Sequence, residues 1–293
     1  MLKSIKFTIL LFLCLVFINT SNAQLNPRLK QGFVHLGLSS SLIATPLILK
    51  NYWYTNSGDF HFFNDVKNWN GMDKLGHCFS AYHLTKQANQ LYTHSGTPKK
   101  RALIYSSIYS TLFQTSFEIL DGFQSQYGFS FADVGANTIG TLLYTGQELL
   151  WQEQKIKIKF SYAPSAYAQY RPEILGSTHT ERILKDYNGQ TYWFSFSPLH
   201  LFNSNSTKKS KLQLSLGYST NAKLKGDVNI YAINNKTFRA YNSFYMSLDI
   251  NFNNINFKRE FFRKVFSVFN TIKFPLPTLE FSRGEINFHP IYF

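Results

Sequence analysis

The chain has 293 residues and is 44% hydrophobic, enough to bury a core in one large domain or two smaller ones. Aromatic residues reach 17%, an excess that suits β-structure or a membrane interface better than an ordinary cytosolic domain. A formal net charge of +14 on a chain with an export leader argues against nucleic acid and for a membrane surface or an anionic envelope component as partner.

The leader comes first. Lys3 and Lys6 precede the apolar run Phe7 to Ile18, and Ser21-Asn22-Ala23 offers a cleavage site before Gln24. Residues 1–23 therefore read as a secretory signal peptide, since the run is short for a span of about 20 residues. The expected location is exported, periplasmic or outer-membrane associated. Cys14 lies inside the apolar run without small residues before it, which makes it a poor lipid-bearing cysteine. Cleavage leaves Cys78 alone, with no internal disulfide available.

Residues 24–154 read as a helical bundle. The mostly apolar stretch Phe33 to Leu49 is expected to be a core helix, with a membrane-inserted helix as the alternative, and His35 in it to be a satisfied polar group. An aromatic and Asn/Asp-rich loop from Asn51 to Asn70 feeds a helix from Met72 to about Tyr92, which Gly96-Thr97-Pro98 ends. In Lys99 to Gly122, Leu103, Tyr105, Ile108, Leu112, Thr115 and Ile119 recur at helical spacing. Ser130 is an N-cap for a further helix running to about Gln154, with Asp133 three residues on as in a capping box.

Three stretches of this half carry candidate chemistry. Asp73 and His77 are four residues apart, one helical turn on one face, with Lys74 beside them. Glu118 and Asp121 share a face of the next helix, and Asp133, Asn137 and Gly140 continue the pattern on the third. Packed together, three such helices would bring a histidine and several carboxylates to a common centre. Buried carboxylates are costly unless they are paired, hydrogen-bonded or bound to metal. His77, Asp73, Glu118 and Asp133 supply nitrogen and oxygen ligands that Zn or Mn would accept. His77 could instead serve as a general base oriented by a carboxylate. The chain lacks Gly-x-Ser-x-Gly, His-Glu-x-x-His and a phosphate-binding glycine loop.

The order Asp73-Lys74-x-x-His77, Glu118-x-x-Asp121, Ser130-x-x-Asp133-x-x-x-Asn137-x-x-Gly140 resembles the YfiM-like family of predicted periplasmic lipoproteins of unknown function. It is also distantly similar to the VanZ-like membrane proteins linked to glycopeptide resistance. The resemblance covers roughly residues 30 to 155 and implies a place in the cell envelope. Neither family implies an established reaction.

From Lys155 the period changes to that of strands, and residues 155–293 read as an antiparallel β region. Ile156-Lys157-Ile158-Lys159-Phe160 alternates strictly. Similar runs are Tyr192–Ser197, Leu212–Tyr218, Val228–Ile233, Phe244–Phe252, Leu279–Phe281 and Ile286–Phe293, with turn-rich stretches such as Asn203–Ser210 and Arg283-Gly284 between them. A short helix is expected within Pro172–Tyr187, and a basic amphipathic helix within Phe257–Ile272, where Lys258, Arg259, Arg263 and Lys264 oppose an apolar stripe. The terminal Phe293 resembles the ending of outer-membrane barrels, but Pro290 and the short strands favour a small sheet packed on helices.

The fold class expected is thus α+β, a helical bundle followed by an antiparallel β region with one basic amphipathic helix. Three functions stay open. The bundle's polar site is a binding or a structural module of the envelope, or it is a metal-assisted or His-based hydrolase acting on an envelope lipid, phosphate or glycan. Asp73, Lys74, His77, Glu118, Asp121, Asp133 and Asn137 are its candidate residues in either case.

Overall fold

A computed structural model describes residues 26–53, 58–202 and 210–293. The expected leader, with Cys14 and the expected cleavage site, and most of the turn expected at Asn203–Ser210, lie outside the described residues. The protein is α+β, with helices first and an antiparallel sheet after them. Its contacts divide it into two compact units, Met1–Asp65 with Ser80–Leu150, and Val66–Phe79 with Trp151–Phe293.

The helical unit is built from α1 (Pro27–Trp53), most of α2 (Met72–His94), α3 (Lys99–Gly122) and α4 (Phe131–Trp151). Helix α1 starts earlier than Phe33 and carries Pro46 within it. Gly96, at φ +85°, takes the left-handed conformation that stops α2, and Pro98 leads directly into α3. The core gathers Val34 and Leu38 of α1, Ala88 and Tyr92 of α2, and Ala102 and Tyr109 of α3. His35 is a satisfied polar group, its Nδ1 3.1 Å from the Tyr92 hydroxyl. The aromatic loop packs on its own unit: Phe60 and Phe62 lie edge-on to one another, and Phe62 stacks on Phe131 at 5.3 Å.

Helix α4 ends at Trp151, three residues short of the expected Gln154. Its buried face is polar, with Asp133, Asn137, Thr141, Tyr144 and Gln147 in line, whereas Phe131, Ile139, Leu142, Leu149 and Leu150 are exposed. Among the described residues, no helix is long and apolar enough to cross a membrane.

The second unit holds a six-stranded antiparallel sheet in the order β1 (Ile156–Tyr162), β2 (Gln190–Phe196), β3 (Leu212–Asn221), β6 (Tyr241–Ile250), β7 (Leu276–Ser282), β8 (Glu285–Tyr292). A separate hairpin pairs β4 (Ile230–Ile233) with β5 (Lys236–Arg239). Its turn places Asn234 and Asn235 at φ 52° and 57°, and the β7–β8 turn places Arg283 and Gly284 at 52° and 83°. Left-handed pairs of this kind match the twist of the flanking strands. The short helices α5 (Pro172–Leu175), α6 (His179–Lys185) and α7 (Pro198–Phe202) fill connections, and α8 (Glu260–Phe269) joins β6 to β7. The amphipathic helix is thus shorter than the Phe257–Ile272 stretch. The side chains of Arg263 and Lys264, half of its expected basic face, lie outside the described residues.

The sheet curls strongly. Lys159 on β1 meets Asp249 on β6 at 2.6 Å, three strands away, and Thr191 on β2 lies 3.2 Å from the Tyr292 hydroxyl on β8. Residues on either side of Ile272 hydrogen-bond to Phe160 and cover part of the edge of β1. The inward face of this curl is mostly polar, with Trp193 and Tyr245 the large rings among its hydroxyls. Strand alternation predicts which residues share a face and leaves open which face turns in. Here the lysines of β1 are the inward set, and Lys159 is 0% exposed.

Candidate functional site

The candidate residues fall into two groups, one in each unit. Asp73, Lys74 and His77 belong to the sheet unit, in the first turns of α2. Those turns are fastened to the strands. A 3-10 turn at Asn68–Gly71 places Trp69 and Asn70 at φ 53° and 54°. Asn70 Nδ2 donates to Thr220 Oγ1 at 3.0 Å and to Asn242 Oδ1 at 2.8 Å, and the Tyr218 hydroxyl donates to the Asn70 carbonyl at 2.6 Å. Phe79, two turns on, lies against Phe160 and Tyr192. Gly76 makes the approach to β2 possible, because a Cβ there would sit 3.0 Å from the Tyr192 hydroxyl.

Asp73 is held from three sides. Lys74 Nζ donates to its Oδ2 at 2.8 Å, the Tyr187 hydroxyl donates to Oδ1 at 2.8 Å, and His77 Nε2 lies 3.9 Å from Oδ1. Tyr187 is itself set by Trp69, ring to ring at 5.0 Å. An acid in the first helical turn is also favoured by the helix dipole, so part of Asp73's role is to stabilise α2. Donors each about 2.1 Å from one ion lie at most about 4.2 Å apart, so the carboxylate and imidazole can share a divalent metal. An open cleft of about 480 Å³ lies in the same unit, but Asn70, Gly71, Tyr241 and Asn242 are among its walls and Asp73 and His77 are not.

Glu118, Asp121, Asp133 and Asn137 belong to the helical unit. Glu118 of α3 is 1% exposed. Asn137 of α4 reaches it with Nδ2 at 3.5 Å, and Asn137 Oδ1 accepts from Gln114 Nε2 at 3.1 Å. Hydroxyls continue the array. Thr141 Oγ1 is 3.3 Å from Ser110 Oγ and 3.4 Å from Thr85 Oγ1, which brings α2, α3 and α4 together. Asn89 Nδ2 then donates to the Tyr144 hydroxyl at 2.9 Å. Burial drives the Tyr144 phenol up to about 12, with the Asn89 bond opposing and the Glu148 charge adding to it, and raises Tyr82 further.

Asp133 is buried at the start of α4, and Ser130 caps that helix as expected, its Oγ accepting from the Asp133 N–H at 3.1 Å. The Ser130 hydroxyl donates in turn to Asp65 Oδ1 at 2.6 Å. Asp121 is half-buried at the end of α3, where its charge helps to raise the phenol of nearby Tyr127, after burial. It shares a helix face with Glu118 but not its burial. The thiol of Cys78 is pushed up to about 11 by burial, which makes it a poor nucleophile.

Sequence reasoning missed Asp65, Gln114 and Tyr187. Asp65 and Tyr187 stand in loops far along the chain from their partners, and no periodic signal marks them. Gln114 could have been found, since it lies four residues before Glu118 on the same helix face.

Residues 59–145 match the model of a family described as Predicted periplasmic lipoprotein (DUF2279). The stretch contains the whole series from Asp73 to Gly140, and the match is to the first of the two families that the series resembles. The description agrees with an exported protein, periplasmic or outer-membrane associated. No curated protein and no solved structure matches the chain.

Proposed function

We propose that this is a binding protein of the cell envelope, whose helical unit presents buried carboxylates to a cationic ligand. The observation that carries the reading is the burial of two carboxylates in one unit, Glu118 on α3 at 1% exposure with the Asn137 amide of α4 donating to it, and Asp133 on α4. Asp133 lies one turn before Asn137 on the same face of α4 and is 5% exposed. Taking a carboxylate out of water costs several kcal/mol unless other groups compensate. A cation is the ligand that best offsets that cost, and a divalent metal such as Zn or Mn fits oxygen donors of this kind. Direct metal analysis of the purified, dialysed chain tests the reading. Stoichiometric metal in the wild type and its loss in Glu118→Gln would support it. Absence of metal after incubation with Zn and Mn, or its retention in Glu118→Gln, would refute it.

A second reading rests on the sheet unit. His77 at 3.9 Å from Asp73, with Lys74 beside them, suits a general base that removes a proton from water, with Lys74 meeting the charge of a phosphate. That arrangement would make the protein a hydrolase of an envelope lipid, phosphate or glycan. Hydrolysis of such a substrate, abolished in His77→Ala, would favour it over binding alone.

A further inference from the structure

The six-stranded sheet is inside out. One cross-strand row of its outward face runs Ile158, Phe194, Leu216, Met246, Leu279, Phe288, each opposite the next. Its first members are covered, Ile158 being 2% exposed, but Leu216 and Met246 are 42%, Leu279 37% and Phe288 63% exposed. The matching inward row runs Ser195, Ser215, Ser247, Thr278, at 0%, 0%, 3% and 1%. Hydroxyls are sealed inside while leucine, methionine and phenylalanine face out.

A sheet in water does the reverse, because each exposed apolar side chain forgoes its burial. A polar interior behind an apolar exterior is the polarity of a sheet bathed in lipid. On β3 the outward apolar positions Leu212, Leu214, Leu216 and Tyr218 span about 20 Å, close to the apolar band of about 25 Å on membrane barrels. Cations mark both ends of the band. Arg283 is exposed at the β7–β8 turn, and Lys258 and Arg259 are exposed ahead of α8 at the other end. Helix α8 extends the apolar surface with Phe261 at 69% and Val268 at 72% exposure.

We propose that the outward face of β3, β6, β7 and β8, with α8, lies against the acyl chains of an anionic bilayer. The flanking cations meet lipid phosphates. A protein partner would also accept an apolar band with a charged rim, and what favours lipid is the row of serines and threonine sealed behind the apolar face. Among the described residues β8 pairs with β7 alone, so the contact proposed is through the face of the sheet, with the outer edge of β8 kept at the level of the headgroups.

The test is flotation of the full mature chain with vesicles of phosphatidylethanolamine and phosphatidylglycerol, in 0.1 M and then 1 M NaCl. The wild type is expected to float and to stay bound at high salt. The double variant Met246→Lys with Phe288→Lys is expected to bind about 30-fold or more weakly while keeping its circular dichroism and melting temperature, because both side chains are already exposed. Wild-type protein that stays at the bottom of the gradient overturns the proposal. So does release by 1 M NaCl, which would mean adsorption by charge alone. A variant that floats as well as the wild type, or a detergent-free dimer dispersed by the two lysines, would overturn it too. The outcome is independent of metal binding at Glu118.

Discussion

Both units bury acids, and they do so in different ways. In the sheet unit Asp249 and Lys159 are each 0% exposed and 2.6 Å apart, and Ser195 donates to the same carboxylate at 2.8 Å. In the helical unit Glu118 is as deeply buried, and its partners include the Asn137 amide at 3.5 Å, with Gln114 behind it. A short pair of opposite charges is complete in itself and holds strands together. The acid of the helical unit is set between side chains of α3 and α4, where a bound cation would tie two helices together.

The largest effect expected from this contrast is on the sheet. Lys159→Ala should cost about 3–5 kcal/mol in a denaturant melt, because it strands the Asp249 charge in the interior. Replacing both partners, as Lys159→Met with Asp249→Leu, should recover most of that loss. An equally severe loss in the double variant would show that the pair does more than neutralise itself.

Alkaline pH acts on both units, because burial raises phenols in each, Tyr192 and Tyr292 in the sheet and Tyr82 and Tyr144 among the helices. Burial raises the Tyr144 and Tyr82 phenols above their unfolded value of about 10. The unfolded chain therefore loses these protons first. The stability they contribute is complete below pH 10 and falls as pH rises through about 12. Tyr82→Phe with Tyr144→Phe should make the fall of melting temperature across that window shallower, the other buried phenols keeping part of it, and an unchanged slope would count against the burial of these two.

Ser130→Ala should cost about 1–2 kcal/mol, since it removes both the cap of α4 and the donor to buried Asp65. Tyr187→Phe should cost about 1 kcal/mol through loss of one bond to Asp73. A null result in either case would mean that solvent replaces the bond.

Much of this architecture was legible in the sequence. Helix α3 runs from Lys99 to Gly122 as its apolar spacing indicates, and Ser130 caps α4 because the cap is a local contact three residues long. Seven of the strands stand near their expected runs, with ends displaced by a few residues, as for Leu276–Ser282 against Leu279–Phe281. β5 was missed, because Lys236–Arg239 has no apolar alternation and forms through the Asn234-Asn235 turn. What the pattern could not convey is sign. Lys157 and Lys159 alternate with isoleucine whether they face in or out, and Asp249, 90 residues away, decides it. The pairings Asp65–Ser130 and Tyr187–Asp73 are likewise tertiary and leave no local trace.

The most direct test of the binding account is a thermal melt of the mature chain with and without Zn or Mn, run beside Glu118→Gln. At about 100 times the dissociation constant, binding to the folded state adds about 2.7 kcal/mol, an upward shift of about 5–10 °C for a protein of this size. That shift is expected in the wild type and none in Glu118→Gln, each measured against its own metal-free melt. No shift in the wild type, or the same shift in both proteins, would contradict the binding account.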